Sequence, residues 1–333
     1  MVVGGPTAVI DLGGLRIVSD PTFDDPGPHG YLTKTAGPAV AGDQLGPVDL
    51  VLVSHDNHPD NLDDRGRALA LAAPLVLTTR SGAGRLGEPA IGLDPWTSHA
   101  VRRPGGGELT VTAVPAVHGP EDGERDVDGF VNCEVIGFVL SGPDLPAVYV
   151  SGDNASIRTV AEIARRTPAI DAVVLHAGAA RVPGKFRDRA LSLDSVRAAA
   201  AAAVLGAPVV IPAHYDGWAH FSEGRDDLVR AFDDAGLTAQ LRLDDHGTWI
   251  PLRTPLQNSH AESANPGAAP GRYGLNAAFK SFQQHERGIH ALRFATGGAR
   301  VTKVRMTLGP LHRRLEPRPG EPPVAPARAL VQR

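Results

Sequence analysis

One stretch decides how this chain is interpreted: an apolar run over residues 48–54 leads directly into His55-Asp56-Asn57-His58-Pro59-Asp60-Asn61. Three other apolar, strand-like runs also end on a residue that can bind a metal: 109–117 before His118, 147–152 before Asp153, and 209–213 before His214. Side chains at the ends of neighbouring strands converge on one edge of a sheet. An edge that gathers imidazoles and carboxylates suits a borderline divalent cation such as zinc. The pattern therefore predicts a metal-dependent enzyme.

Composition and charge narrow the possible partners. The 333 residues are 42% hydrophobic and 21% charged, which is typical of a soluble globular protein. Residues 254–333 contain 12 Lys+Arg and 4 Asp+Glu, a net charge of +8, whereas residues 1–253 contain 21 and 33, a net charge of −12. An acidic body does not attract nucleic acid broadly. We therefore expect a small-molecule substrate rather than a nucleic-acid partner; nothing in the sequence indicates an oligomeric state.

Cysteine usage and hydropathy bear on location. Cys133 is the only cysteine, which excludes an intramolecular disulfide framework and a cysteine-based zinc knuckle. The N-terminus lacks the basic and then apolar segments of a secretory signal. The longest uncharged stretch, 198–213, is interrupted by Gly206 and Pro208 and is shorter than the ~18 apolar residues that span a bilayer. We expect a cytoplasmic protein with no membrane span.

The order of the predicted elements indicates the fold class. Strand-like runs come first and then alternate with helical segments predicted over 156–166, 192–203 and 224–235, and a last strand is predicted over 241–243. Residues 21–48, rich in Pro, Gly, Asp and Thr, are predicted to form a functional loop. Two mixed sheets with helices on their outer faces fit this order better than a doubly wound parallel sheet, which needs a helix between nearly every pair of strands. The predicted class is α/β.

Beyond residue 253 this pattern ends. Stretches such as 265–270 and 316–323 are dominated by Pro, Gly and small or charged residues, and they cannot bury enough apolar surface to offset the entropy of ordering. We therefore predict a hydrolase domain over 1–253 and a basic, mostly disordered tail over 254–333, in which only 288–308 has a composition that suits structure.

Six landmarks follow one another in a fixed order: Gly4-Gly5-Pro6-Thr7, Ser19-Asp20-Pro21, residues 54–63, Val117-His118-Gly119-Pro120, Ser151-Gly152-Asp153 and Pro212-Ala213-His214. Together they resemble the metallo-β-lactamase superfamily, in particular its branch of ascorbate-6-phosphate lactonase-like proteins and phospholipase-D-like hydrolases of N-acyl phosphatidylethanolamine. The resemblance covers residues 3–253. It implies a four-layer αββα sandwich with one or two divalent ions at its rim, zinc first and manganese or iron as alternatives, and a metal-bound hydroxide as the nucleophile.

The first metal loop departs from the family pattern. The family usually has His-x-His-x-Asp-His, whereas here His55 and His58 are three residues apart and Asn61 stands where the last His would be. Keeping the His-x-Asp step leaves either His55, through a one-residue bulge, or Asp56 as the other ligand. We favour His55, because imidazole is the commoner neutral nitrogen ligand. Asn61 would be a neutral oxygen ligand at best, which predicts a weaker second metal site.

On this alignment the resemblance implies two neighbouring metal sites. His55, His58 and His118 would hold the first ion, Asp60 and His214 would hold the second, and Asp153 would bridge them. Asp60 would also serve the catalytic step. Asp20 would anchor a loop behind the ligands, the alternative being that it caps the turn before Pro21.

Other residues near the predicted rim are candidates for catalysis and substrate binding. His176 is a candidate acid, base or ligand-orienting group, or else a buried histidine bonded to backbone. His220 is a candidate proton donor to the leaving group. Tyr215 and Trp218 are candidates for an apolar pocket wall, with plain packing as the alternative for Trp218. Arg181 would bind an anionic substrate group or form a surface salt bridge.

The leading hypothesis is hydrolysis of an ester, lactone or phosphodiester bond in a small-molecule or lipid-like substrate. One alternative is a nucleic-acid phosphodiesterase of the same fold with the basic tail as a tether. Another is a non-catalytic metal-binding or sensory protein, which the Asn61 departure motivates. Serine chemistry is not indicated, because no Gly-x-Ser-x-Gly motif surrounds Ser54 or Ser151.

Overall fold

A computed structural model describes residues 1–121, 123, 125 and 128–253. The predicted tail over 254–333, including the stretch 288–308, lies outside the described residues, so its predicted disorder and the predicted boundary at 253 remain predictions.

The described residues form fourteen strands and five α-helices. The strands are β1 Val2–Gly4, β2 Thr7–Leu12, β3 Leu15–Ser19, β4 Gly27–His29, β5 Leu32–Lys34, β6 Leu50–Leu52, β7 Val76–Thr79, β8 Ala90–Leu93, β9 Ser98–Arg102, β10 Glu108–Pro115, β11 Ile136–Ser141, β12 Val148–Val150, β13 Ala172–His176 and β14 Val209–Ala213. The helices are α1 Asp64–Ala72, α2 Arg80–Leu86, α3 Ile157–Arg166, α4 Ser195–Leu205 and α5 Arg225–Asp234, and short 3-10 turns occupy Gly42–Leu45 and Phe186–Asp188.

The strands form two six-stranded sheets and a small hairpin. The first sheet has the order β1-β2-β3-β6-β7-β8, and the second has the order β14-β13-β12-β11-β10-β9. Both are mixed: β3, β6, β7 and β8 pair in parallel, as do β12, β13 and β14, while the remaining neighbours are antiparallel. The hairpin pairs β4 with β5.

The layers follow from the two-residue period of the strands. Ala172 and Val174 of β13 face a core shared with the first sheet, whereas Val173 and Leu175 face a second core against the helical side. A third cluster packs the outer face of the first sheet against Ala70 of α1 and its neighbours. The predicted α/β class and its αββα sandwich are confirmed.

Local signals explain most of the helices. Ser156 and Asp194 cap α3 and α4, and each side chain accepts a hydrogen bond from the backbone N–H three residues later. The helix α2 was not predicted, because Gly82 and Gly84 lower its helix propensity. The strand predicted over 241–243 is wrong: Leu241 makes only an isolated bridge with Val210. The predicted loop over 21–48 contains the β4-β5 hairpin.

Chain direction determines where the site forms. β10 is antiparallel to β11, which is antiparallel to β12, and β12, β13 and β14 are parallel. The carboxyl ends of β10, β12, β13 and β14 therefore meet at one edge. Among the helices that the structure describes, none combines the length and apolar composition required to cross a membrane.

Candidate metal centre

Three imidazoles form a first donor set at this edge. His58 Nδ1 lies 3.0 Å from His55 Nε2 and 3.0 Å from His118 Nε2. A tetrahedral ion bound at about 2.0–2.1 Å holds its ligand atoms about 3.3 Å apart. Two of the three distances are close to this spacing, and all three nitrogens lie within 4.8 Å of one another, so they can be ligands of one cation.

Hydrogen bonds on the outer nitrogens orient two of these rings. His118 Nδ1 donates to the Leu191 carbonyl at 2.8 Å, which leaves Nε2 with its lone pair directed at the set. His55 Nδ1 lies 3.0 Å from Ser54 Oγ. Burial lowers the pKa of His55 well below its ordinary value, and burial together with the neighbouring His118 lowers the pKa of His58 to about 4. Neutral imidazoles are the form that binds metal.

The loop accommodates its additional residue by turning Asn57 to solvent. Asn57 is exposed, while His55 and Asp56 on its N-terminal side are buried. The Asp56 carboxylate points to a different environment, where Arg85 Nε donates to it at 2.9 Å and Arg67 lies 3.8 Å away. The sequence allowed either His55 or Asp56 as the other ligand. In the structure His55 lies at the donor set, whereas Asp56 pairs with Arg85 and Arg67.

A second donor set forms beside the first. Asp60 Oδ2 lies 3.1 Å from His214 Nε2 and 2.9 Å from His220 Nε2. Burial alone raises the pKa of the Asp60 carboxyl, but hydrogen bonds from His214 and His220 lower it well below its ordinary value. An ionised carboxylate and two imidazoles are again suitable ligands for a divalent cation.

The Asp153 carboxylate lies between the two sets. Its Oδ1 is 3.3 Å from His214 Nε2, and its Oδ2 is 3.5 Å from His118 Nε2. Burial alone raises the pKa of Asp153, but the His214 charge and the hydrogen bond from His176 lower it far below the ordinary value. One oxygen of this ionised side chain therefore faces each set.

His176 and Asp20 support Asp153 from behind. His176 Nδ1 lies 2.8 Å from Asp153 Oδ1, and its ring stacks on that of His214 with centroids 4.9 Å apart. His176 Nε2 lies 3.7 Å from Asp20 Oδ2, while Asp20 Oδ1 accepts the Ser54 backbone N–H at 2.6 Å. Burial raises the pKa of Asp20 to about 8. Asp20 thus ties the end of β3 to the first metal loop.

Two glycines allow the loops to approach closely. Gly152 has φ +55°, and a Cβ there would lie 2.6 Å from the Cβ of Ser54 on the opposite sheet. A Cβ on Gly178 would lie 2.2 Å from the His214 carbonyl oxygen. His214 itself has φ +59°, a conformation that is strained for a residue with a side chain. Backbone contacts therefore fix the position of His214.

The chemistry of the buried polar atoms fits a divalent metal. Among the described residues, thirteen buried side-chain N or O atoms lack a hydrogen-bond partner, and eight of them surround the two sets: Asp20 Oδ2, Asp60 Oδ1, both amide atoms of Asn61, Asp153 Oδ2, His176 Nε2, His214 Nδ1 and His220 Nδ1. Such atoms are rare in native proteins because each loses its hydration without compensation. A cation would compensate the carboxylate oxygens among them, Asp60 Oδ1 and Asp153 Oδ2, whereas the Nδ1 atoms of His214 and His220 lie on the outer side of rings whose Nε2 atoms face the donor set.

Residues 15–215 match the family model of the beta-lactamase superfamily domain. The chain belongs to this superfamily. The resemblance to metallo-β-lactamase-fold proteins drawn from the six landmarks is therefore confirmed.

A relative and two solved structures illustrate the superfamily. A UPF0173 metal-dependent hydrolase from Methanosphaerula palustris is 30% identical over 192 residues, which are 56% of this chain and 76% of the relative. The isothiocyanate hydrolase from Delia radicum gut bacteria is 17% identical with a TM-score of 0.63, over 74% of this chain and 96% of that chain. A possible metal-dependent hydrolase from Veillonella parvula is 15% identical with a TM-score of 0.63 and the same coverage. At these identities the two structures show the shared fold.

A small cavity opens over the two donor sets of this superfamily member. Besides His58, Asp60, His118 and His220, it is lined by Tyr31, Leu32, Asn132, Ala180, Val182, Lys185, Phe186 and Leu191. The Tyr31 ring meets that of His58 edge-on at 6.3 Å, and Lys185 Nζ lies 4.9 Å from the Tyr31 ring centroid. The loop predicted over 21–48 thus reaches the site through its hairpin. No sequence pattern had singled out Tyr31 or Lys185.

The three side chains predicted for the substrate pocket lie elsewhere. Tyr215 packs into the core of the helical side, with its hydroxyl 3.5 Å from His246. Trp218 is buried against His29 and Lys34. Arg181 donates to Ser222 Oγ at 2.9 Å and to the Asp188 carbonyl, and it lines an adjacent, arginine-rich cavity of about 370 Å³. Packing and hydrogen bonds that the sequence does not reveal determine where these three side chains lie.

Cys133, a single cysteine that can form neither an intramolecular disulfide nor a cysteine-based zinc knuckle, has its sulfur near the first donor set. The sulfur and the ligand nitrogens of His55, His58 and His118 all lie within 4.8 Å of one another. The residue is buried and immediately precedes the segment that leads into β11. Cys133 belongs to none of the six landmarks, so no sequence pattern indicated this contact.

Proposed function

We propose that this chain is a metal-dependent hydrolase that cleaves an ester, lactone or phosphodiester bond in a small-molecule or lipid-like substrate. The observation that carries the proposal is the Asp153 carboxylate, which directs one oxygen to each of two buried donor sets. The similarity to the metal-dependent hydrolase from Methanosphaerula palustris supports hydrolysis.

The donor sets would hold two divalent ions. His55, His58 and His118 would bind one, Asp60 and His214 would bind the other, and Asp153 would contact both. Zinc is the ion we favour, because neutral imidazoles and carboxylates are its usual ligands. When bound, such ions lower the pKa of a water molecule and polarise a carbonyl or phosphoryl oxygen.

The side chains that line the cavity suit the binding of a small substrate. Leu32, Val182 and Leu191 give the cavity apolar walls, which suit the hydrocarbon part of a small ester or lactone. The exposed Lys185 provides a cation at the cavity, suited to a carboxylate or phosphate group. His176 has no exposed surface and does not line the cavity, so its contact with Asp153 suits a positioning role rather than proton transfer to substrate.

The proposal is tested by hydrolysis assays on the full chain loaded with zinc. A panel of esters, lactones and phosphodiesters is compared for the wild type, His118→Ala and a control, His99→Ala, whose residue lies on β9 outside both donor sets. We expect turnover on at least one class of bond, its loss in His118→Ala and its retention in His99→Ala. Full zinc occupancy without turnover on any substrate would instead favour a non-catalytic metal-binding protein.

A further inference from the structure

We propose that His220 is a ligand of the second metal ion and replaces the imidazole that the family usually has at the position of Asn61. This inference rests on the proposed function. Its Nε2 lies 2.9 Å from Asp60 Oδ2, the same oxygen that His214 Nε2 approaches at 3.1 Å. The three ligand atoms all lie within 4.8 Å of one another.

The surroundings of His220 hold its ring at this place. The side chain is only 8% exposed, and the ring packs against Phe221 with centroids 4.5 Å apart. Its carbonyl accepts the Arg181 backbone N–H at 2.9 Å, and an isolated bridge joins Phe221 to Ala180. The segment is therefore fixed against the loop that follows β13, with the imidazole directed at Asp60.

Asn61 leaves a gap in the ligand set that His220 fills. Its side chain is fully buried, and neither amide atom has a hydrogen-bond partner among the described residues. An amide oxygen is a weaker ligand for zinc than an imidazole. With His220 included, the second ion would have Asp60, His214, His220 and Asp153 Oδ1, in parallel with the three histidines and Asp153 Oδ2 at the first ion, beside which the Cys133 sulfur also lies.

The same geometry argues against His220 as the acid that protonates a leaving group. Its Nε2 faces the Asp60 carboxylate, and its Nδ1 is buried without a partner in the described part of the chain. A general acid needs a proton within hydrogen-bond reach of the substrate. His220 therefore directs Nε2, the nitrogen that would bind the ion, at Asp60.

The test counts bound metal rather than activity. The metal-free full chain is equilibrated at defined free zinc concentrations, and the zinc-to-protein ratio and the affinity of each ion are measured for the wild type, His220→Ala, His220→Gln, His220→Ala with Asn61→His, and His99→Ala. We expect two ions in the wild type and His99→Ala. We expect the second ion to bind more than ~100-fold more weakly in both single His220 variants, and to recover at least tenfold when Asn61→His restores an imidazole. His220→Gln preserves side-chain bulk in case His220→Ala fails to fold.

The outcomes separate the two proposals. Two ions bound with wild-type affinity by both His220 variants would overturn this inference and leave the proposed function intact. Loss of the second ion that Asn61→His does not recover would also overturn it, because His220 would then act only through packing. A wild-type chain that binds no zinc would overturn both proposals.

Discussion

The two donor sets differ in the contacts that orient their imidazoles. In the first set, the outer nitrogens of His118 and His55 have hydrogen-bonding neighbours in Leu191 and Ser54. In the second set, Nδ1 of His214 and of His220 has no partner among the described residues. Such outer contacts orient a ligand and raise its affinity for metal. The comparison teaches that hydrogen bonds on the outer nitrogens orient imidazoles of the first half, whereas backbone contacts and ring packing orient those of the second half.

The pKa values of the imidazoles also differ between the halves. Burial lowers the pKa of His55 and His58, so these imidazoles are neutral near pH 7. Burial alone would also lower the pKa of His214, but the Asp153 and Asp60 carboxylates raise it above its ordinary value. Protons therefore compete with metal more strongly at the second half.

The largest expected effect comes from removing the side chain that joins the halves. Asp153→Ala should weaken both ions, reduce bound zinc from two per chain to below one, and lower kcat/KM by about 1,000-fold, since a buried charge that contacts both sets is lost. Elemental analysis and kinetics check this. Asn61→Ala is the matched comparison and should lose less metal; equal losses would contradict the bridging position of Asp153.

A second prediction concerns a buried ion pair that lies close to Asp60 in sequence. Asp63, three residues after Asp60, accepts hydrogen bonds from the Phe23, Asp24 and Gly66 backbones and forms a buried ion pair with Lys34 at 2.9 Å. Lys34→Met leaves this carboxylate buried and without its cation, which should lower the free energy of unfolding by about 3–5 kcal/mol.

Urea unfolding measures that change, and an exposed ion pair supplies the control. Arg80 pairs with Asp94, and the Arg80 side chain is 69% exposed. Arg80→Met should therefore lower the free energy of unfolding by less than about 1 kcal/mol. Equal destabilisation of the two variants would contradict the larger contribution expected of the buried pair.

A smaller effect is expected from the residue that orients Asp153. His176→Phe retains a ring to stack on His214 but removes the hydrogen bond to Asp153 Oδ1. The affinity for zinc should fall by about 10–100-fold while the fold is retained, as circular dichroism would show. Wild-type affinity in this variant would mean that the stacking, rather than the hydrogen bond, is what His176 contributes.

The smallest perturbation is acidification, which should separate the halves without any mutation. A raised pKa keeps His214 protonated up to a higher pH, and a proton on its Nε2 occupies the lone pair that a metal requires. A pKa of about 4 leaves His58 neutral until the solution is far more acidic. Lowering the pH from about 7.5 to about 5.5 should release the second ion before the first. Simultaneous release would contradict the electrostatic difference.

Much of the fold could be predicted because its signals are local. The buried strand β14 was predicted with its observed bounds, because an uninterrupted apolar run is what a strand with two covered faces requires. The helix α2 was missed because its glycines oppose the helix, and tertiary packing overrides that preference.

The family resemblance predicted His58 and Asp60, and the other ligand candidates were predictable because each follows a strand-like run. His55, His118, Asp153 and His214 share that signal, and the structure brings all four together. The hairpin residue Tyr31 and the lone Cys133 reach the site through long-range packing, which no spacing in the sequence encodes. Long-range packing also places Tyr215 and Trp218 outside the cavity lining, although both closely follow His214 in sequence.

Crystals of the zinc-loaded chain, measured at the zinc absorption edge, test the central claim most directly. The account predicts two anomalous peaks per chain: one within about 2.1 Å of the ligand nitrogens of His55, His58 and His118, and one at the same range from Asp60 and His214. Asp153 should have an oxygen beside each peak. Peaks at other side chains, or no peak at these two sets, would contradict it.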